Sequence, residues 1–486
     1  MDNKKRGTVA GGLFWAFSER ITAQLVSLTV SIILARLLDP EHYATIAVVS
    51  IFITIANTFV TSGFGNSLIQ KKEADSLDFS TTLFFSFSLS VLLYFVLFAC
   101  SPWIASFYNR PELTAILRVM SLRIIVASIN SIQHAYVSKQ MAFRKFFFST
   151  LFGTIVSAVV GIVLAYKGYG VWALVAQYLT NTTIDTIVLS FTCGWKPTLQ
   201  FSFARMKRLY SYGWKLLVSD LLGTLYEQLR ALVLSKGFQP TELSYYNQGE
   251  KYPALFMHNV EASMHKVLFQ TLSENQDDVL KVKDITRRTI QITILLLSPI
   301  FFGLAACGNS LISLLLTDKW LPCVPYLRIV CFLYLIHPIF SAHTRVLKAL
   351  GKSGVFMALT TFRYCLGIGL LVASMLFFKE PHVVISSSVV TMLVITIICD
   401  VITNKEIDYK INEQIADVFP PILCGAIMCF AVVIVGKTVS DKLLALVIQV
   451  FVGMVSYVVL SMIFNKQIFA AALKMAKQKL KRKAVK

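Results

Sequence analysis

Residues 80–107 read STTLFFSFSLSVLLYFVLFACSPWIASF, a stretch with no Asp, Glu, Lys or Arg. At 1.5 Å per residue, a helix of this length more than covers the roughly 30 Å of hydrocarbon in a bilayer. Apolar runs of this kind recur along all 486 residues, of which 56% are hydrophobic and only 15% charged, with a mean hydropathy of +0.67. Soluble domains carry about 25% charged residues. A soluble globule is excluded, and the chain reads as an all-α, polytopic integral membrane protein.

Apolar runs set against polar punctuation give about fourteen spans, at 12–38, 42–68, 80–107, 113–137, 145–166, 169–193, 209–236, 241–269, 284–316, 322–349, 354–378, 381–403, 418–437 and 441–464. Their ends are set to about ±4 residues. The fourth and eighth are the most polar, and Gly308-Asn309 is a candidate break in the ninth. Lys4, Lys5 and Arg6 precede the first run, but Glu19 and Arg20 interrupt it and no A-x-A cleavage pattern follows. It reads as a retained first helix, not a removed signal peptide.

The net charge of +20 raises the question of nucleic acid, but placement answers it. Counting alternate connections, 29 Lys and Arg fall on the side of the termini and 7 on the other. The positive-inside rule then places both termini in the cytoplasm. From Lys466 to Lys486 there is no acid, and Phe469, Leu473, Ala476 and Leu480 recur at helical spacing. That pattern fits an amphipathic helix on anionic membrane lipids and equally a solvated cationic tail. No nucleic-acid partner is expected.

Leu34, Arg36 and Pro40 are echoed 200 residues later by Leu234, Lys236 and Pro240. Duplicated halves are common in transporters. The expected organisation is therefore an N-lobe of helices one to six (1–198), a C-lobe of helices seven to twelve (199–408), and a final helix pair with a basic tail (409–486).

Catalytic signatures are missing. Gly436-Lys437-Thr438 resembles the end of a P-loop, but position 431 is Ala where its first glycine belongs. The seven histidines form no HExxH, no G-x-S-x-G occurs, and the nine cysteines contain no CxxC pair. No catalytic residue, metal site or cofactor is expected, and the chain is read as no enzyme. The external connections, about a dozen residues or fewer, leave little room for the catalytic loops of a membrane glycosyltransferase or polymerase.

The informative residues are ionisable groups within the spans, each costing on the order of 2.5–3.5 kcal/mol at a helix centre. At 100° per residue, Arg20, Gln24, Ser27 and Ser31 share a face of the first helix, and Arg123, Asn130 and His134 a face of the fourth, with Arg118 pointing elsewhere. Asp220, Glu227 and Arg230 fall in one arc of the seventh helix, flanked by Lys215. Asn247, Glu250, Glu261 and His265 align on the eighth, where Pro253 is a candidate kink, and Arg363 sits inside the eleventh. Structural readings exist for each: Glu227 and Arg230 fit mutual neutralisation, Lys215 fits snorkelling, and His134 fits helix packing. Taken as a set, they suit a hydrated interior. Arg20, Gln24, Arg123, Asn130, His134, Arg230 and Arg363 are the candidate substrate-binding groups, because forked guanidinium donors match phosphate oxygens. Asp220, Glu227, Glu250 and Glu261 are the candidate ion-coupling groups, for H⁺ or Na⁺.

The stretch ILARLLDPE at 33–41, followed by SGFGNSLIQKK at 62–72, resembles the opening of the Wzx-type polysaccharide flippases. YYN at 245–247, VLF at 267–269 and SENQDD at 273–278 resemble their eighth helix and following loop, and LKALGK at 347–352 their tenth-helix end. The similarity extends to about residue 405 and points to the polysaccharide branch of the multidrug/oligosaccharidyl-lipid/polysaccharide exporters. It implies two six-helix lobes in a V, alternating access, and export of undecaprenyl-diphosphate-linked oligosaccharides across a bacterial inner membrane for capsule, exopolysaccharide or O-antigen. Cavity arginines would meet the diphosphate or acidic sugars, and a polysaccharide polymerase and chain-length machinery would be downstream partners. It also makes Pro40, Gly63 and Gly65 structural. The competing readings are a cation-coupled multidrug exporter of the same architecture, a membrane glycosyltransferase or polymerase, and a structural assembly partner.

Overall fold

The computed structural model describes residues 22–61, 68, 74–140, 142–439, 441–466 and 468–470, without side-chain detail at 143, 208–213, 215, 216, 219, 262–267, 269 and 270. Arg20, Gly63, Gly65, most of the basic tail and the side chains of Lys215 and His265 lie outside the described set. Within it the chain forms fourteen α-helices: α1 (Thr22–Leu37), α2 (Pro40–Thr61), α3 (Ser76–Phe107), α4 (Glu112–Lys139), α5 (Phe143–Tyr166), α6 (Val171–Thr192), α7 (Phe203–Gly237), α8 (Pro240–Glu274), α9 (Val279–Leu316), α10 (Val324–Ala349), α11 (Ser353–Phe377), α12 (Pro381–Ile407), α13 (Ile411–Thr438) and α14 (Lys442–Phe464). A short 3-10 turn, Asp318–Cys323, precedes α10. Hydrocarbon leaves helices as the economical way to satisfy backbone polar groups.

Each helix falls on one of the spans expected from the sequence, with longer polar ends on several. α7 starts at Phe203, where the Ser202 side chain accepts from the Arg205 N–H, and α9 starts at Val279, where Asp278 accepts from the Lys281 N–H. These caps draw polar turns into the helices that hydropathy alone leaves out. α9 runs unbroken through Gly308-Asn309, and α8 runs through Pro253. Among the described residues, ten helical segments are long and apolar enough to cross a membrane, and α1 is apolar but shorter. α6, α7 and α8 fall outside that set, whereas α4, expected among the most polar, belongs to it.

Two compact units part at Ser244/Tyr245, inside α8. In the first, α3 packs on α4, α5 on α6, α4 on α6, and α2 on α4 and α7. α7 is fixed along its length. Arg205 Nη1 lies 2.5 Å from Asp75 Oδ1 and 3.3 Å from Asp78 Oδ1 at the start of α3. Thr58 and Thr224 hydroxyls are 3.2 Å apart, and Tyr108 and Ser235 hydroxyls are 3.2 Å apart. Lys236 donates to the Phe107 carbonyl and lies over its ring. The sequence division at 198/199 puts α7 with the later helices; by packing, α7 joins the first unit through these contacts.

In the second unit α9 is the central element, packed by α10, α13 and α14, while α12 packs on α10 and α11. The final pair, α13 and α14, is thus layered on α9. Gly425 of α13 makes this possible, since a Cβ there would overlap Ser298 and Phe302 of α9. The echoed sequence stretches share a local form: α1 ends at Leu37 with Pro40 opening α2, and α7 ends at Gly237 with Pro240 opening α8. Proline suits a first helical turn because the missing N–H is unneeded there.

Gly249 of α8 lies where an added Cβ would be 2.7 Å from the Cys323 carbonyl and 2.8 Å from the Leu327 amide, backbone atoms with little freedom to yield. Gly249→Ala should therefore lower thermal stability in detergent by about 1–3 kcal/mol, while Gly369→Ala, with nothing within 4 Å, should not. The Arg205 hydrogen bond holds Asp75 down at about 2, from an ordinary value of 3.8. A depressed carboxylate stabilises the fold above its unfolded pKa and loses that contribution as pH falls through the folded one. Between pH ~4 and ~2 the stability of the wild type should fall more steeply than that of Arg205→Gln, in chemical denaturation at stepped pH.

Candidate functional site: intramembrane polar clusters

Arg123, Asn130 and His134 stand at i, i+7 and i+11 on α4, which sets them on one helical face, and α6 presents Tyr178, Thr182 and Asp185 at i, i+4 and i+7. The two faces meet. Arg123 Nε donates to Thr182 Oγ1 at 2.9 Å, and its guanidinium lies 5.6 Å from the Tyr178 ring centre. Among the described residues it has no acid within ion-pair distance. Asn130 Nδ2 donates to Asp185 Oδ2 at 2.8 Å, and His134 Nε2 is 3.2 Å from the same oxygen. His134 also stacks on Phe146 of α5, centroids 4.6 Å apart. α5 approaches α6 closely here because position 153 is glycine: a Cβ would sit 3.1 Å from the Asn181 carbonyl and 3.4 Å from Asp185 Cβ.

Arg118 points to α3 instead, donating to Ser101 Oγ at 2.9 Å over the Phe98 ring. On α7, Asp220 and Glu227 are exposed and Arg230 is half-buried; on α1, Gln24 is half-buried. Gln24 and Arg230 are each engaged in an interaction of their own.

The second unit holds a separate cluster on α8, α10 and α11. Glu250 accepts from the Tyr334 hydroxyl at 2.8 Å. Glu261 lies 3.7 Å from Arg345 Nη2 and accepts from Ser341 Oγ at 3.5 Å. Arg345 Nε and Nη2 both donate to Ser341 Oγ, at 3.3 and 2.9 Å, and its side chain is only 8% exposed. Arg363 lies over Phe340 and Tyr364 at 5.5 and 5.1 Å, and His337 is within electrostatic reach of Glu261, Arg345, Arg363 and His258. Two guanidinium groups here accompany two carboxylates, of which Glu261 pairs with Arg345 and Glu250 is held by a hydroxyl.

Asp185 and Arg345 were not among the residues singled out from the sequence. The acidic or basic partner of each is on another helix, His134 for Asp185 and Glu261 for Arg345, so no spacing rule connects them. The available signal was an ionisable residue inside an apolar run, TNTTIDTIVL at 180–189 and IFSAHTRVL at 339–347. Among the described residues no group of three or more His, Cys, Asp or Glu is placed to hold a metal ion. The crevice lined by Phe301, Phe302, Ala305, Cys331, Phe332 and Leu335 is apolar and offers nothing to a charged group.

Residues 33–325 match the model of a family described as polysaccharide biosynthesis protein. The chain belongs to that family. It is 22% identical to the lipopolysaccharide biosynthesis protein WzxC of Escherichia coli (strain K12), over 70% of this chain and 69% of that one. It is 23% identical to the succinoglycan biosynthesis transport protein ExoT of Rhizobium meliloti (strain 1021), over 72% and 70%. The lipid II flippase MurJ, in an inward closed conformation, superposes with a TM-score of 0.75 at 13% identity, covering 93% of this chain and 99% of its own. An inward-facing MATE multidrug transporter of the MOP superfamily superposes at 0.63 with 16% identity, covering 79% and 94%. This member of the polysaccharide biosynthesis family therefore has the multi-pass fold seen in those membrane transporters.

Asp185 is the hub of the α4–α6 contact. Asp185→Ala should strip Asn130 and His134 of their acceptor and destabilise the protein by on the order of 1–3 kcal/mol. Scanning calorimetry in detergent would show it, and an unchanged melting temperature would mean water satisfies both donors.

Proposed function

We propose that this protein is a flippase that exports undecaprenyl-diphosphate-linked oligosaccharide repeat units across a bacterial inner membrane, by alternating access, for capsule, exopolysaccharide or O-antigen assembly. Its family, and relatives named for lipopolysaccharide biosynthesis and succinoglycan transport, support the substrate class. The observation that carries the reading is Arg123, a guanidinium inside an apolar helix that is bonded to a hydroxyl and an aromatic face, not neutralised by an acid. Such a group keeps positive potential and spare forked donors for a diphosphate. In the second unit Arg363 lies over two aromatic rings, while Arg345 is paired with Glu261 at 3.7 Å. The guanidinium of Arg123, which meets no acid among the described residues, would repel a cationic drug, which favours the flippase over the multidrug exporter.

In this reading the basic connections and both termini face the cytoplasm, where the repeat unit is made, and the lipid tail stays in the bilayer. Export is cation-coupled, and the product passes to a polysaccharide polymerase and chain-length machinery. Deleting the gene should cause a defined lipid-linked glycan to accumulate on the inner leaflet, reversed by the intact chain. Unchanged glycolipids with altered drug sensitivity would contradict the reading. Loss of one charge-assisted hydrogen bond of about 1.5–3 kcal/mol predicts that Arg123→Gln slows export by roughly 10- to 100-fold, measured as repeat units reaching the outer leaflet. Arg123→Lys should fall between, because an ammonium keeps the charge and loses the fork.

A further inference from the structure

His343 of α10 is fully buried, and its Nε2 is 3.0 Å from Oδ1 of Asp400 on α12, whose side chain is 15% exposed. The approach is off-line for a hydrogen bond, and neither atom has a hydrogen-bond partner elsewhere. Both residues lie roughly 10 Å inside the ends of their helices, at 1.5 Å per residue. Neither belongs to the clusters described above.

The other charges facing this place are already occupied. From α9 and α13, Arg287 is held by Asp417 at 2.6 Å, and Lys283 by Glu413 at 2.7 Å. From the α11 and α12 ends, Lys352 meets Glu406 at 3.3 Å, and from α8 Glu261 faces Arg345 at 3.7 Å. Lys348 of α10 lies over the Phe356 ring of α11. Tyr409, whose ring stacks on His343 with centroids 6.2 Å apart, donates its hydroxyl to Asp417 at 2.7 Å. Gln414 beside the imidazole is neutral. Among the described residues Asp400 therefore has His343 as its one charge-compensating neighbour.

We infer that His343 and Asp400 form a proton-binding site, one proton carried by the Asp400 carboxyl beside the imidazole in this state and given to water when α10 and α12 separate. With that proton the pair has zero net charge; without it the pair carries −1 in a place almost closed to solvent, where an uncompensated charge is costly. Release is thus tied to hydration of the α10–α12 contact, and rebinding to its closure. One imidazole and one carboxylate suit a proton and not a sodium ion, because hard cations take a cage of oxygens. The inference rests on the transport reading above and names its coupling ion.

Infrared spectroscopy of the full chain in lipid nanodiscs reads the site without transport. At pH ~7 the wild type should show a protonated-carboxyl C=O band that disappears in Asp400→Asn and shifts in His343→Gln. A band unchanged in Asp400→Asn overturns the inference. Asp400→Glu, which returns a carboxyl to the pair, should recover the band and guards against a folding defect. In proteoliposomes loaded with the undecaprenyl-diphosphate-linked glycan of a deletion strain, one pH unit corresponds to a tenfold bias on a one-proton step. The wild type should respond by approaching that factor, and Asp400→Asn by less than about twofold. An equal response in the two overturns the coupling role, whereas no glycan movement by the wild type overturns the proposed function and leaves the infrared result standing.

Discussion

A guanidinium placed in hydrocarbon must be neutralised, solvated or put to use, and the rest of this structure is arranged around that constraint. The cost, on the order of 2.5–3.5 kcal/mol at a helix centre even on insertion scales, is too large for idle charges. Arg287 answers it by neutralisation, in a fork–fork pair with an almost wholly buried Asp417. Arg118 answers it with a serine, a carbonyl and a ring. Arg123 has a hydroxyl and an aromatic face, which satisfy one N–H and leave its charge uncompensated. Arg287 is thus a structural charge, whereas Arg118 and Arg123 each engage one N–H and meet no acid among the described residues, and of these two Arg123 shares its helix face with Asn130 and His134.

The same constraint explains the packing of each unit. Polar groups sit where helices meet: α4 against α6 through Asp185, α8 against α10 through Ser341 and Tyr334, α10 against α12 through His343 and Asp400. Glycines at 153, 249 and 425 let α5 approach α6, α8 approach the start of α10, and α13 approach α9, as small residues do in membrane bundles generally. Lipid-facing positions, by contrast, carry exposed Phe95, Phe191, Phe377 and Phe430. Exposure of large apolar side chains is normal for a protein whose solvent is a bilayer.

Much of this was legible in the sequence. Uncharged runs such as 80–107 marked the helices because the bilayer sets their length, and the α4 face holding Arg123, Asn130 and His134 followed from helical periodicity alone. Helix ends were less legible: Ser202 and Asp278 cap polar turns that hydropathy assigns to loops. The place of α7 was hidden because Arg205 meets Asp75 at a separation of 130 residues. Asp185, Arg345 and Asp400 were missed for a related reason. Periodicity reports which residues share a face of one helix, and these three matter through partners on other helices.

The central claim is that an uncompensated guanidinium on the α4–α6 face recognises a diphosphate headgroup. Equilibrium binding of undecaprenyl diphosphate to the purified chain in nanodiscs, with and without competing inorganic pyrophosphate, tests it most directly. The account predicts binding that pyrophosphate displaces and that weakens at least roughly tenfold in Arg123→Gln, the equivalent of ~1.4 kcal/mol. Equal affinity in the wild type and Arg123→Gln, or binding indifferent to pyrophosphate, would contradict it.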